Sequence, residues 1–515
     1  MARSAPIRVC VTASGLPTHD PLDLYEELRR TRPVDDVFLL ENASGGGRDP
    51  DRAVVGCGRL LDIQVLSGSG RAVTVHVEGE PALVHALVEQ AGELGMVGAA
   101  EPGQAIAPGW DGRPRAELTA EEPERLWAFL EAARSGLFAV ETDLSPLGYS
   151  FGFLTSLAYE STWHMEDLGE RTKPSRGPDI TLTLFRHTVW YDRTGGTVSE
   201  LRAECAEFPE RPEPGLRRLA ERAALREGAP PVPEAPRPLW VRDSLDRETF
   251  LRWADRCLEH IGVGDIYQIQ VGHRIDVRTE LEPPAVYRRL RSRNPSPYMY
   301  LVPRGGTLLV GASPELFFRV EGDEITMRPI AGTTPRGADH EENQQRVKEM
   351  SESTKERAEH IMLVDLCRND IGRVCRAGTL PVDRLMDVEA YSHVFHLVST
   401  VKGRLADGVT AWDAVRATFP AGTMTGAPKI RAMEIIDELE REPRGAYAGA
   451  VGLLDVRGWS ELALCIRTIE YDGDMYSTQS SAGLVAESEP AAEWRETLAK
   501  MGAAYWALTG WELLP

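Results

Sequence analysis

Between Arg226 and Pro238 the chain reads REGAPPVPEAPRP, a short run holding five prolines. Proline has no backbone N–H and a fixed φ, so neither a helix nor a central strand passes through such a run. It reads as an extended surface linker. The linker (226–238) divides a chain of 515 residues into an amino-terminal segment, 1–225, and a carboxyl-terminal segment, 239–515. A chain of that length exceeds one ordinary hydrophobic core, so a division is expected. With 42% hydrophobic and 27% charged residues, each part has the material for a folded interior.

The formal charge of −21 argues against a nucleic-acid partner, which would call for clustered Lys and Arg. An acidic protein that handles an anionic ligand has to neutralise it locally, and a divalent cation does this most simply. The seven cysteines are scattered singly with no C-x-x-C pair, the pattern of reduced thiols in a cytoplasmic protein. The start, MARSAPIRVCVTASG, lacks the apolar stretch of a signal peptide. No window reaches the roughly 18 apolar residues of a membrane span.

Periodicity predicts helices at Pro21–Thr31 and Pro81–Glu93 and strands at Ala72–Val77 and Thr181–Tyr191 in the first segment. After the linker it predicts helices at Asp246–Ile261, Pro284–Arg293, Asp339–Leu366, Ala411–Thr418, Lys429–Leu439 and Pro490–Leu508. The strands fall at Ile266–Val277, Pro297–Pro303, Thr307–Leu309, Ser392–Val401, Ala448–Leu454 and Glu461–Tyr471. Antiparallel strands with long helices outside them make an α+β protein, layered antiparallel sheets flanked by helices. No G-x-G-x-x-G or Walker loop follows a strand, so nucleotide binding is not indicated.

Two helices carry paired carboxylates. Glu356 and Glu359 stand three apart in STKERAEHIMLVDL and share a face. Glu493, Glu496 and Lys500 repeat that stripe in the last helix. One such pair is ordinary solvated surface; two on separate helices can meet around a hard cation, and magnesium leaves sites open for an anionic substrate. Three turns, PIAGT (329–333), FPAGTMTGAPK (419–429) and SSAGLV (480–485), offer glycines whose neighbouring N–H groups make carboxylate-binding concavities. Arg467 lies in the intervening strand CIRTIE, and its planar guanidinium can fork onto a carboxylate.

From about Gly264 to Lys500 the sequence resembles the chorismate-utilising enzymes, most of all anthranilate synthase component I. The matching blocks include GDIYQIQ (264–270), NPSPYM (294–299), GASPELF (311–317), PIAGT, KERAEHIMLVDLCRND (355–370), YSHVFHLVS (391–399), FPAGTMTGAPKIRAMEIIDELE (419–440), RGAYAGAVG (444–452), IRT (466–468) and AESEPAAEWRETLAK (486–500). LLENAS (39–44) and GFLTSLAYE (152–160) extend the likeness into the first segment.

The resemblance implies a fold and a set of roles. Glu359 and Glu496 would coordinate Mg2+, with Glu356 and Glu493 supporting it through water, and the metal would hold the ring carboxylate of chorismate. Arg467, Tyr447 and the backbone at Ala482 and Gly483 would hold the enolpyruvyl carboxylate. Thr333 and Thr423 would line the ring, and Lys500 would balance charge beside the metal. Glu315 would protonate the departing C4 hydroxyl, and His396 would assist the later loss of pyruvate. Leu40, Glu41 and Asn42, with Pro295 and Met299, stand where the family binds tryptophan; Asn42 replaces a Ser of the usual motif.

Two positions select the reaction. Gln268 stands where the water-adding branch of the family carries a Lys base; an amide does not deprotonate water but hydrogen-bonds ammonia. Ala331 stands where many aminodeoxychorismate synthases carry a nucleophilic Lys. Together they imply 2-amination of chorismate by a magnesium-dependent lyase of the anthranilate synthase type, ending in anthranilate and pyruvate. The second outcome is 2-amino-2-deoxyisochorismate, released with its enolpyruvyl group in a secondary-metabolite pathway. Departures from the family pattern favour such a pathway: Thr334 replaces an Arg, Ser481-Ala482-Gly483 replaces GAG, and IQVGHR follows Gln268. No cysteine sits in a G-x-C-x-G nucleophile turn, so a separate glutamine amidotransferase subunit supplying ammonia, in a hetero-oligomer, is implied.

Overall fold

The structure is a computed structural model that describes residues 5–44, 49–67, 72–98, 107–108, 113–209, 215–226, 228, 231–391 and 394–514. Residues 45–48 of the ENASGGGRDP turn, residues 227, 229 and 230 of the linker, and Ser392 at the start of an expected strand lie outside the described residues.

Among the described residues the strands join one hydrogen-bonded network, antiparallel except for the pairing of Ile7–Gly15 with Phe138–Glu141. One wing runs from Trp240–Asp243 through Gln268–Arg278, Tyr476–Leu484, Thr468–Tyr471 and Thr307–Ser313 to Tyr298–Arg304. There it passes into the first segment: Tyr298–Arg304 pairs with Val37–Glu41, then Arg52–Ser67, Ile180–Asp192 and Gly152–Leu157. Gly152–Leu157 pairs with Ala450–Asp455, which returns the ladder to the second segment. From there it continues through Ser460–Leu464, Leu316–Glu321 and Glu324–Met327 to Val394–Arg404, flanked by Ile330–Pro335 and Val382–Ala390. The first segment therefore bridges two sheets of the second.

Helices cover this ladder as the sequence patterning requires. Helices with the predicted bounds form at Pro81–Glu93, Ala411–Thr418 and Lys429–Leu439. The last of these packs with Arg247–Gly262 on Ile269, Val271, Ala482 and Leu484. The terminal helix, Pro490–Thr509, buries Met501, Ala504 and Leu508 beside Val286 and Leu290 of helix Pro283–Arg293.

Two expected elements are divided, each for a local reason. The long helix from Asp339 to Leu366 is two helices, His340–Glu352 and Thr354–Gly372. Ser353 leaves helical space at ψ 118, and its hydroxyl accepts the Glu356 N–H at 3.3 Å, a capping bond that competes with helix continuation. The expected strand Glu461–Tyr471 is interrupted because Arg467 takes φ 52, in the left-handed region. No described helix is long and apolar enough to cross a membrane, and the seven cysteines are free thiols.

Candidate active site

Glu315 follows the turn after strand Thr307–Ser313 and is buried. Desolvation pushes its carboxyl up to about 8, opposed in part by the Thr423 hydroxyl, the Ile330 N–H and the Lys500 charge. A carboxyl at that value is protonated at neutral pH and has a proton to give. Thr423 sits in a helical turn, Gly422–Met424, inside the FPAGTMTGAPK segment, so this turn and PIAGT close around the same carboxyl.

The terminal helix brings the second acidic pair. Trp494 stacks on the His273 ring with centroids 4.4 Å apart, and His273 Nε2 lies 2.9 Å from Thr497 Oγ1. These contacts seat the helix on strand Gln268–Arg278 and fix its rotation. Lys500 Nζ then reaches Glu496 at 2.6 Å and donates to the Ser481 carbonyl at 3.0 Å. Glu493 is buried and Glu496 half exposed. Arg467 donates to the Lys500 carbonyl at 2.8 Å; desolvation holds its pKa below the ordinary value, while Tyr447 and Glu496 oppose that shift. A non-glycine residue held in left-handed space beside such a cluster is the kind of strain that functional sites retain.

His396 sits opposite Thr333 in the pairing of strands Ile330–Pro335 and Val394–Arg404, with Nδ1 2.8 Å from the Thr333 hydroxyl. Burial, and then the Arg467 charge, push its imidazole down to about 4, so the ring is neutral at working pH. Gly332, at φ 89, has Leu397 and Glu356 against it: a Cβ there would stand 2.9 Å from Leu397 Cδ1 and 3.3 Å from Glu356 Oε2. Helix Thr354–Gly372 is pinned at that height by His360, whose Nδ1 lies 2.9 Å from the Ala331 carbonyl and Nε2 2.6 Å from Ser399 Oγ. Sequence reading passed over His360; its signal was a single polar residue on the apolar stripe continued by Leu363, Val364 and Cys367.

Among the described residues no group of three or more His, Cys, Asp or Glu gathers around one point. Magnesium does not require one, since it usually takes one or two carboxylates and completes its octahedron with water and substrate oxygens. The residues named from the sequence as its ligands are carboxylates, donors of the kind a hard cation takes, and Glu496 is paired with Lys500 at 2.6 Å.

Gln268 opens the central strand, buried, with its Oε1 lacking any hydrogen-bond partner. Beside it, Gly483 lets both glutamine amides close in: a Cβ would lie 2.7 Å from Gln270 Nε2 and 3.3 Å from Gln268 Nε2. Ser481 Oγ donates to Gln270 Oε1 at 2.9 Å and lies 2.6 Å from the Tyr447 hydroxyl. Arg444 holds this corner. It binds Glu440 through two 2.8 Å contacts, donates to the carbonyls of Met424 and Gln270, and lies 5.8 Å from the Tyr447 ring centre. Neither Arg444 nor Gln270 was singled out from sequence, because their partners are far along the chain.

Leu40, Glu41, Asn42, Pro297 and Met299 line a separate cavity of about 60 Å³. Glu41 accepts from Tyr287 at 2.6 Å, Arg193 at 2.6 Å and Arg291 at 2.8 Å. Asn42 donates to the Pro50 carbonyl at 3.1 Å and accepts from the Ser44 hydroxyl at 2.7 Å. The Arg52 guanidinium lies 5.2 Å from the Trp459 ring centre within the same wall.

The chain belongs to the chorismate binding enzymes, whose family pattern matches residues 101–505. It is 46% identical over 515 residues to the 2-amino-4-deoxychorismate synthase of Streptomyces globisporus, covering 99% of both chains. It is 42% identical over 365 residues to the anthranilate synthase component 1 of Streptomyces coelicolor, covering 68% of this chain and 71% of the relative. Among solved structures, anthranilate synthase component I from Streptococcus pneumoniae superposes with a TM-score of 0.68 at 28% identity, covering 88% of this chain and 92% of that one.

Proposed function

We propose that the chain adds ammonia to C2 of chorismate with loss of the C4 hydroxyl and releases the adduct with its enolpyruvyl ether intact. That adduct has two names, 2-amino-4-deoxychorismate and 2-amino-2-deoxyisochorismate, for one constitution: an amine at C2, no oxygen at C4, the ether at C3. The observation that carries the amination is Gln268, a buried amide whose oxygen has no partner in the structure. Such an oxygen costs free energy unless a ligand N–H meets it. Ammonia supplies that N–H and needs no base, whereas water would need one that an amide is not.

Glu315, protonated at neutral pH, donates to the C4 hydroxyl as it leaves. Arg467 and Lys500 bring positive charge to the carboxylate turns, and Thr333 orients the neutral His396 ring. Magnesium held by Glu359 and Glu496, with Glu356 and Glu493 behind them, would neutralise the ring carboxylate. Retention of the ether is favoured over anthranilate formation by the 46% identity, over the full chain, to a 2-amino-4-deoxychorismate synthase, against 35% over 94% of the chain for an anthranilate synthase component 1. A separate amidotransferase subunit supplies the ammonia, a reading supported by the sequence, in which no cysteine sits in a G-x-C-x-G nucleophile turn.

The test is a pyruvate-coupled assay on chorismate, magnesium and ammonium. Chorismate consumed without pyruvate is the expected result; one pyruvate per chorismate would return the reaction to anthranilate.

A further inference from the structure

The Tyr447 hydroxyl, which the resemblance places at the enolpyruvyl carboxylate, meets a side chain of the chain itself. Its oxygen lies 2.6 Å from Ser481 Oγ, and Ser481 Oγ donates to Gln270 Oε1 at 2.9 Å. The amide oxygen of Gln270 is the end that meets Ser481, and its Nε2 lies on the side of Gly483, 2.7 Å from where a Cβ there would stand. A serine hydroxyl has one proton. With that proton on Gln270, Ser481 Oγ can only accept from Tyr447, and the proton chain has one direction, from Tyr447 through Ser481 to Gln270. All three side chains are buried, which keeps competing water away. Burial also raises the phenol above its ordinary value, so it stays protonated. Tyr447 therefore presents lone pairs, not a proton, to whatever lies beside Arg467.

We propose that Ser481 sets the product of this enzyme: by drawing the Tyr447 proton into a closed chain ending on Gln270, it withholds a hydrogen-bond donor from the enolpyruvyl arm and suppresses pyruvate loss. The inference rests on the 2-amination reading above. Pyruvate loss from the adduct breaks the C2–H bond, whose electrons complete the aromatic ring as the C3–O bond breaks. The departing enolpyruvate gathers negative charge and takes a proton at its methylene carbon, giving pyruvate and anthranilate with no net oxidation. A donor on that arm stabilises the developing charge; one such donor commonly changes a rate by about 10²–10³. Ser481 acts through Tyr447 and is a positioning residue.

The experiment compares wild type with Ser481→Gly, Ser481→Ala and Ser481→Thr on chorismate, magnesium and ammonium. It reads pyruvate released per chorismate consumed, a ratio that does not depend on how much protein is folded. The Gly and Ala variants, which free the phenolic proton, should raise the ratio at least about tenfold, and Thr, which keeps the hydroxyl, should stay at the wild-type value. Unchanged ratios in Gly and Ala overturn the inference, as does an equal rise in Thr. Loss of all chorismate consumption in both Gly and Ala also overturns it, because a residue that only withholds a donor is dispensable for amination. Stoichiometric pyruvate from wild type defeats the proposed product itself, whereas retention in all four proteins defeats this inference alone.

Discussion

Lys500 Nζ stands 2.6 Å from a Glu496 carboxylate oxygen one turn earlier on the terminal helix, and 3.0 Å from the Ser481 carbonyl. One ammonium thus ties the acidic stripe to the turn that holds Ala482 and Gly483, and its charge also reaches the Glu315 carboxyl. The terminal helix, the Ser481–Gly483 turn and the Glu315 carboxyl are coupled through this side chain.

Glu315 gives the clearest pH dependence. Its carboxyl, pushed up to about 8 by burial, is the active acid only while protonated. Turnover at fixed free ammonia should therefore fall with a single-proton limb as pH rises through about 8. Glu315→Gln should lower kcat by about 10²–10⁴ and abolish that limb. Linkage has the same sign: a carboxyl raised on folding favours the folded state below the unfolded value of 4.5 and loses that contribution as pH rises through about 8. Denaturant unfolding of Glu315→Gln should lack this part of the slope. A wild-type rate flat across that range contradicts the assignment.

The metal proposal separates direct from supporting carboxylates. Glu359→Gln and Glu496→Gln should abolish magnesium binding measured calorimetrically with chorismate present. Glu356→Gln should weaken it by about 10–100-fold, the usual cost of losing an outer partner. Undiminished magnesium affinity in Glu359→Gln would remove that residue from the ligand set.

Gln268→Lys places an amine where the unpartnered amide oxygen lies. With ammonium omitted, the variant should form hydroxylated product, isochorismate, that wild type does not. Chromatography of the products decides it, and their absence at normal chorismate affinity would count against the amide-versus-base account.

Arg444 and Glu440 are a buried pair that also braces Gln270 and Met424. Glu440→Gln leaves the guanidinium uncompensated and should cost about 3–5 kcal/mol of stability, measured by denaturant unfolding. The double replacement Glu440→Leu with Arg444→Met should recover part of that loss.

Helix limits were legible where a proline or a capping residue marks them, as at Pro81, Pro490 and Thr410, whose side chain forms a capping box with Asp413. The carboxylate stripes were legible because i, i+3 spacing fixes a face whatever the tertiary context. The bridging of two sheets through Val37–Glu41 and Gly152–Leu157 was not, since strand pairing between distant segments leaves no local signal. The helix break at Ser353 was hidden by strong charge periodicity on both sides of it. Arg467 was recognised as a guanidinium on an expected strand, but its left-handed backbone, which divides that strand, has no local sequence signal, since such a conformation is uncommon outside glycine. The proton chain through Ser481 joins residues 34 and 211 positions apart, a juxtaposition that only the folded sheet creates.

The central claim is amination at C2 with the ether kept, and the mass of the product formed from chorismate, magnesium and isotopically labelled ammonium tests it directly. The account predicts one labelled nitrogen in a product that still carries the enolpyruvyl carbons. Labelled anthranilate accompanied by pyruvate, or an unlabelled hydroxylated product, would contradict it.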